Sequence, residues 1–187
     1  MDNITRAFLK TPRQDFLPDS VRHQAAADIP LPIGFGVTNS QPSTVRMMLG
    51  WLGVKPGDKI LDVGSGSGWT TGLLCALTGK NGEVYAVEVI PELMVIGEQN
   101  VKKLNIKNAR FFKAGRQVGL PEYAPYERIL VSAAAAEVPG QLLSQLKPGG
   151  KMVIPVRDEI LEISKKSEAD FEIKPHYGFA FVPLISR

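Results

Sequence analysis

The sequence predicts an α/β fold built around a doubly wound, mostly parallel β-sheet. Three observations lead to this prediction. Strand-like and helix-like patterns alternate from residue 58 onward, a glycine-rich loop separates the first strand of this series from the next helix, and residues 128–133 contain an unbroken apolar run at positions 129–131. Such alternation is typical of a parallel sheet with helices on both faces, and such a run is typical of a central parallel strand.

The individual elements follow from local patterns. Short apolar runs predict strands at residues 59–63, 84–88, 110–113, 128–133 and 151–155. Helices are predicted at residues 69–79, from Pro91, and from Pro139 to just before Lys147, because proline suits the first turn of a helix. Residues 159–164 and 178–183 predict a closing antiparallel pair, so the sheet is expected to contain seven strands.

Residues 1–57 have a different character. They carry six of the 14 prolines. A helix beginning near Pro42 would place Val45, Met48, Leu49 and Leu52 on one side. We interpret this segment as an N-terminal helical cap that packs on the sheet formed by residues 58–187, within one domain of 187 residues.

The composition restricts the class of protein. The chain has 22 Lys and Arg against 19 Asp and Glu, and 44% of its residues are hydrophobic, as in an ordinary soluble domain. The single cysteine, Cys75, cannot form an internal disulfide and favours a cytoplasmic location. Neither a signal peptide, a membrane span nor a metal site is predicted. The small excess of basic residues is dispersed along the chain, so no nucleic-acid partner is expected.

A glycine-rich loop lies between the first predicted strand of the sheet and its helix. It contains Asp62, Gly64, Ser65, Gly66, Ser67 and Gly68. Glycines there allow unusual backbone angles and let a ligand approach the backbone. Glu88 follows Gly68 by 20 residues, at the end of the next strand, where a carboxylate can accept hydrogen bonds from ribose hydroxyls. This context predicts a nucleoside cofactor, although glycines needed only for packing would give a similar pattern.

The spacing of the loop distinguishes between cofactors. A dinucleotide site has the pattern G-x-G-x-x-G, whereas this loop reads G-x-G-x-G after Asp62. A carboxylate at that position would repel a pyrophosphate and favour a cationic ligand. The pattern resembles the first motif of class I methyltransferases that use S-adenosylmethionine, so this cofactor is preferred to NAD.

Four further segments resemble one family. They are residues 11–18, 31–42, 124–139 and 181–184. Together they are similar to the protein-L-isoaspartate O-methyltransferase family, over residues 8 to 184. The resemblance implies a Rossmann-like methyltransferase domain. It also implies methyl transfer from S-adenosylmethionine, giving S-adenosylhomocysteine, to the free carboxylate of L-isoaspartyl residues in damaged proteins and peptides, by a monomeric enzyme.

The resemblance also assigns residues to the site. Ser40 corresponds to the active-site serine of the family, in a Thr-x-Ser-x-Pro stretch, although a serine before proline is also a common helix N-cap. The substrate-side residues implied are Thr38, Asn39, Gln41, Ser132, Ala133 and Ala134. The glycine loop and Glu88 are implied to bind the cofactor, as are Gly115 and Arg116 at its adenine end.

The chain departs from the family pattern at a few positions. Residues 114–116 are Ala-Gly-Arg where the family usually has Gly-Asp-Gly, so a carboxylate that would hold the adenine is missing. The usual isoleucine is Asn39 and the usual threonine is Ser132. Two alternatives therefore stay open: a class I methyltransferase acting on a tRNA base or a tetrapyrrole precursor, and a degenerate homologue that only binds S-adenosylmethionine.

The implied chemistry needs few special side chains. A carboxylic acid with a pKa near 3.9 is ionised by about a thousand to one at pH 7, so no general base is required to create the nucleophile. The two histidines, His23 and His176, lie outside the motifs and are expected to be structural or on the surface.

Overall fold

The computed structural model describes residues 1–185 of the chain. Its helices are α1 (Asn3–Lys10), α2 (Asp19–Arg22), α3 (Pro42–Leu52), α4 (Trp69–Thr78), α5 (Pro91–Lys103) and α6 (Gly140–Gln145). Its strands are β1 (Leu31–Gly34), β2 (Val37–Asn39), β3 (Lys59–Val63), β4 (Glu83–Glu88), β5 (Ala109–Lys113), β6 (Tyr126–Val131), β7 (Leu146–Val156), β8 (Glu159–Lys165) and β9 (Phe171–Tyr177).

Seven of the strands form one sheet in the order β5-β4-β3-β6-β7-β8-β9. The pairs from β5 to β7 are parallel, and β8 and β9 add antiparallel strands at one edge. The mostly parallel seven-stranded sheet that the sequence predicted is therefore confirmed. The strand order reverses between β3 and β6, and ligands of open α/β sheets bind beside the carboxyl ends of the strands at such a point.

Most strand boundaries differ from the prediction: β4 and β5 begin one residue earlier, β7 spans Leu146–Val156, and β8 ends at Lys165. The fourth parallel strand spans Tyr126–Val131, because Tyr126 is fully buried and pairs with Leu146. The last strand is β9, and residues 178–183, which were predicted to form it, follow β9 as an irregular segment. The prediction was wrong because β9 lies at the sheet edge, is largely exposed and contains Pro175, so it lacks the usual alternating pattern.

The N-terminal segment packs directly against the sheet and its helices. In α3 the buried residues are Val45, Met48, Leu49 and Leu52, which confirms the predicted face. Helix α1 packs against α4, and the indole Nε1 of Trp69 donates a hydrogen bond of 3.1 Å to the carbonyl oxygen of Thr11. Apolar side chains of the cap and of the sheet layer thus share one hydrophobic cluster.

The hairpin of β1 and β2 was not predicted. It is a short antiparallel pair whose turn, at Gly34, Phe35 and Gly36, has positive φ at all three residues. Leu31 and Ile33 of this hairpin pack against Leu93 at the start of α5. The hairpin thereby carries residues 37–41 to the carboxyl ends of the central strands.

Candidate active site

The glycine loop runs from β3 to α4, with positive φ at Gly64, Gly66 and Gly68. A side chain at Gly68 would place its Cβ 2.8 Å from the carbonyl oxygen of Gly97 in α5. Gly68 therefore allows two helices to approach, and it does not line the clefts described below. At this position the packing interpretation holds, whereas Gly64 and Gly66 face a cleft.

Asp62 lies below the loop and is completely buried. Its Oδ2 accepts hydrogen bonds from the hydroxyls of Thr70 (3.0 Å) and Thr71 (2.7 Å), while Oδ1 has no partner within residues 1–185. Burial raises the pKa of Asp62 to about 6, and the two hydroxyls act in the opposite direction. The sequence prediction that Asp62 belongs to the cofactor-binding surface needs correction, because its carboxylate is separated from the clefts and acts at most through its charge.

Glu88 ends β4 and holds the loop from the other side. Its Oε2 accepts a hydrogen bond from the amide of Gly66 (2.8 Å), and its Oε1 accepts from the amides of Val89 (2.8 Å) and Ile90 (3.0 Å). A carboxylate offers about four acceptor positions, so about one remains for a ligand in the adjoining cleft. Glu88 therefore both shapes the loop and presents negative charge to the cleft.

Three clefts meet at this end of the sheet. We call them the glycine-loop cleft (about 820 Å³), the outer cleft (about 1260 Å³) and the connecting cleft (about 320 Å³). Thr38 and Ser132 line all three, and Ser40 lines the outer and connecting clefts. Residues from β2 and from the end of β6 thus stand where the clefts join.

The outer cleft is rich in hydroxyl groups. It is lined by Thr38, Ser40, Ser43, Thr44 and Ser132, together with Gln41 and the irregular segment 178–182. The helix N-cap alternative for Ser40 is wrong, because the N-cap residue of α3 is Gln41 and the carboxylate of Asp28 accepts the amide hydrogen of Ser43 at 2.8 Å.

The chain segment after β9 was missed as part of the site. Residues 182–185 line the glycine-loop cleft, and residues 178–182 line the outer cleft. Ala134 holds this segment, since its amide donates to the carbonyl of Val182 and its carbonyl accepts from the amide of Leu184, both at 2.8 Å. Ala134 therefore positions a wall of the site and does not line a cleft, unlike Ala133, which faces the glycine-loop cleft. The sequence signal that could have indicated this role was the pair Pro183-Leu184, within the segment 181–184 that resembles the family.

The far end of the glycine-loop cleft contains the departures from the family pattern. Gly115 and Arg116 line it, with Gln117 and Val118. The amide of Ala114 donates to the carbonyl of Glu88 at 2.8 Å, which sets this stretch beside the end of β4. An added Cβ at Gly115 would meet no atom within 4 Å.

These residues fit S-adenosylmethionine. The hydroxyl of Ser65 is buried, has no hydrogen-bond partner in the described part of the chain and belongs to the lining of the connecting cleft, so it can serve a polar group of a ligand. Glu88 offers an acceptor suited to a ribose hydroxyl, and Val63, Val87, Ile90 and Val118 give the cleft an apolar wall suited to a base. The doubly wound sheet, the glycine loop above a buried acid and the acid at the end of β4 define a class I methyltransferase site.

The particular family follows from comparison with known proteins. The model of the family described as Protein-L-isoaspartate(D-aspartate) O-methyltransferase (PCMT) matches residues 1–187, so the chain belongs to this family. The Protein-L-isoaspartate O-methyltransferase of Pyrococcus horikoshii is 42% identical over 191 residues, covering 100% of this chain and 86% of the relative.

Solved structures give the same result. A protein-L-isoaspartate O-methyltransferase structure superimposes with a TM-score of 0.90 at 30% identity, covering 98% of this chain and 61% of that chain. A Plasmodium falciparum protein described by the same enzyme name, in complex with S-adenosyl-L-homocysteine, superimposes with a TM-score of 0.83 at 27% identity, covering 100% and 92% of the two chains.

Other features of the described chain lie away from the clefts. His23 is exposed, and His176 stacks on Trp51 with ring centroids 3.7 Å apart. Within residues 1–185 no helix is long and apolar enough to cross a membrane, since the longest, α5, has 13 residues.

Proposed function

We propose that this protein transfers a methyl group from S-adenosylmethionine to the free α-carboxylate of L-isoaspartyl residues in proteins and peptides. The observation that carries the proposal is the junction of three clefts at Thr38 and Ser132, beside Ser40. A cofactor in the glycine-loop cleft and an acceptor in the outer cleft would meet there. Membership of the family supplies the acceptor class.

Different residues of the chain are proposed to bind different parts of the cofactor. Glu88 would accept from the ribose, the hydroxyl of Ser65 would serve the amino-acid end, and Gly115 and Arg116 would flank the base. S-adenosylmethionine supplies a methyl group on a sulfonium. Negative charge at Glu88, and at Asp62 when it is ionised, favours a cation in this region.

The acceptor side positions a nucleophile that is already formed. The acceptor carboxylate is ionised at pH 7, so the work left to the enzyme is to remove water and to hold the attacking oxygen about 3–3.5 Å from the methyl carbon. The hydroxyls of Thr38, Ser40 and Ser132 and nearby backbone amides are the donors we assign to that carboxylate. One carboxylate oxygen forms the new O–CH₃ bond as the S–CH₃ bond breaks.

The wider setting of the proposal follows the same reasoning. The outer cleft is open to solvent and lined by hydroxyl groups that can donate to a carboxylate, so damaged proteins and peptides are the proposed partners. A single monomeric domain acting in the cytoplasm, without nucleic acid or membrane partners, completes the proposal.

The experiment uses tritiated S-adenosylmethionine with three acceptors: an isoaspartyl peptide, its aspartyl counterpart, and bulk tRNA. We expect base-labile radioactivity, released as methanol, with the isoaspartyl peptide alone. Label on tRNA would support the tRNA alternative. Tight S-adenosylhomocysteine binding without label on any acceptor would instead indicate a homologue that only binds the cofactor.

A further inference from the structure

Arg13 is a buried cation in the N-terminal segment, with 6% of its surface exposed. Its NH1 donates to the carbonyl oxygens of Ala27 (2.9 Å) and Ala25 (3.5 Å), and its NH2 donates to that of Ile29 (2.8 Å). Among residues 1–185, no carboxylate forms an ion pair with it. A charged group held in this way must be satisfied by fixed carbonyl dipoles, so its removal leaves several acceptors without partners.

The remaining donors of Arg13 reach residues 39–41, which connect β2 to α3 and which we call the Ser40 turn. NH2 also donates to the carbonyls of Asn39 (3.1 Å) and Ser40 (3.0 Å), and Nε donates to the side-chain oxygen of Asn39 (2.8 Å). A guanidinium has five N–H donors in a planar fork, and this arrangement uses all of them. The guanidinium also lies 5.4 Å from the ring centroid of Trp69, at the start of α4.

Asn39 continues this network towards the cofactor side of the site, which the glycine loop and Glu88 form. Asn39 is buried, with 5% of its surface exposed, and its Nδ2 donates to the hydroxyl of Ser67 at 3.4 Å. Ser67 belongs to the glycine loop and lines the connecting cleft together with Ser40. The chain Arg13–Asn39–Ser67 therefore joins the two sides of the site by hydrogen bonds.

We propose that Arg13 is a positioning residue for the transfer reaction. Its guanidinium fixes the backbone of the Ser40 turn, and Asn39 links that turn to the glycine loop. The acceptor side and the cofactor side therefore keep a fixed position relative to each other. Arg13 does not touch the reacting atoms. This inference rests on the proposed function, because the relative position of the two sides matters for the methyl transfer proposed above.

The test compares Arg13→Lys and Asn39→Leu with wild type. Lysine keeps the charge but has three donors on a single nitrogen, so it cannot serve carbonyls on both sides of the fork. Leucine removes the polar link at residue 39 while filling its space. The matched control is Arg22→Lys, in the same segment, where an exposed arginine pairs with Asp19.

We expect Arg13→Lys to lower kcat for the isoaspartyl peptide by about tenfold or more, since small misplacements are costly in transfer reactions. Asn39→Leu should lower kcat less, and the double variant should be no worse than Arg13→Lys, because both residues act in one network. The affinity for S-adenosylhomocysteine, measured by calorimetry, should stay within about threefold of wild type in every variant, a change of less than about 0.7 kcal/mol. Arg22→Lys should behave as wild type.

Hydrogen exchange separates this inference from the proposed function. In Arg13→Lys, peptides covering residues 28–41 should exchange faster, while those of the central strands keep their protection. If wild type shows no transfer to an isoaspartyl peptide, the proposed function fails, and exchange still decides whether Arg13 fixes the turn. Unchanged exchange at residues 28–41, or an equal loss of kcat and of cofactor affinity, would overturn the positioning role. If Arg13→Lys does not fold, Asn39→Leu provides the same readouts.

Discussion

The cofactor side and the acceptor side of the site are built in different ways. The glycine loop and Glu88 lie on consecutive elements, β3 to β4, and are joined by backbone-to-carboxylate hydrogen bonds. The acceptor side brings together residues 38–41, Ser132 and residues 178–182, which are far apart in the chain. The glycine loop and Glu88 thus form a local structure, which residues 115–118 and 182–185 complete into a cleft, whereas the acceptor side depends throughout on long-range contacts. We expect substitutions to affect the two sides separately.

The largest expected effect concerns the buried acid beneath the glycine loop. Because the pKa of Asp62 is raised to about 6 in the folded chain, the folded state holds more protons than the unfolded state between about pH 4 and pH 6. The free energy of unfolding therefore falls as pH rises through this window, by up to about 3 kcal/mol. Asp62→Asn should lack this fall.

Urea unfolding at pH 4, 5.5 and 7 measures the effect. The stability of Asp62→Asn relative to wild type should increase with pH over this range. A constant difference at all three pH values would show that the pKa of Asp62 is not raised in the folded chain. It would then contradict the claim that a buried, titrating acid lies beneath the glycine loop.

Ser40→Ala tests the acceptor side alone. Loss of one hydrogen-bond donor at the acceptor carboxylate should lower turnover of an isoaspartyl peptide by about 100-fold, as for other preorganised donors. The affinity for S-adenosylhomocysteine should change little, because Ser40 is assigned to the acceptor carboxylate and does not line the glycine-loop cleft, where the ribose and the base are placed. Methanol release and calorimetry measure the two quantities. Ser20→Ala, on the exposed face of α2, is the control, and turnover equal to that control would remove Ser40 from the site.

Glu88→Gln tests the cofactor side alone. The side-chain amide of glutamine keeps one acceptor oxygen but has no charge. Its NH₂ group would replace the other oxygen and would face a backbone N–H, so one of the hydrogen bonds to the loop is lost. Affinity for S-adenosylhomocysteine should fall by about 2 kcal/mol, in the range for hydrogen bonds to charged groups. At saturating S-adenosylmethionine, kcat should change little. A loss confined to kcat would contradict the division into two sides.

The smallest effect is a gain at the adenine end. Gly115 has open space for a side chain, at the position where the family resemblance implied an aspartate. Gly115→Asp should strengthen S-adenosylhomocysteine binding by about 0.5–1.5 kcal/mol, because water screens an exposed carboxylate and reduces its hydrogen bond to about the net value of an ordinary one. Gly115→Ala adds the Cβ without the carboxylate and serves as control. Equal affinities of the two variants would mean that the carboxylate does not reach the adenine.

The same contrast explains what the sequence could predict. The glycine loop and Glu88 were identified because their chemistry depends on consecutive residue types at a fixed spacing. The partners of Arg13 could not be identified, because five of its acceptors are backbone carbonyls, which leave no mark in the sequence. Likewise, Gly68 and Ala134 share motifs with residues that line the clefts, and only packing reveals that they hold neighbouring backbone instead.

The central claim is that a carboxylate acceptor meets the methyl group at the junction of the clefts. Mass spectrometry of an isoaspartyl peptide after incubation with the protein and S-adenosylmethionine tests it most directly, with the aspartyl peptide beside it. We predict one methyl ester on the isoaspartyl peptide, labile to base, and none on the aspartyl peptide. Equal modification of both peptides, or a methyl group stable to base, would contradict the account.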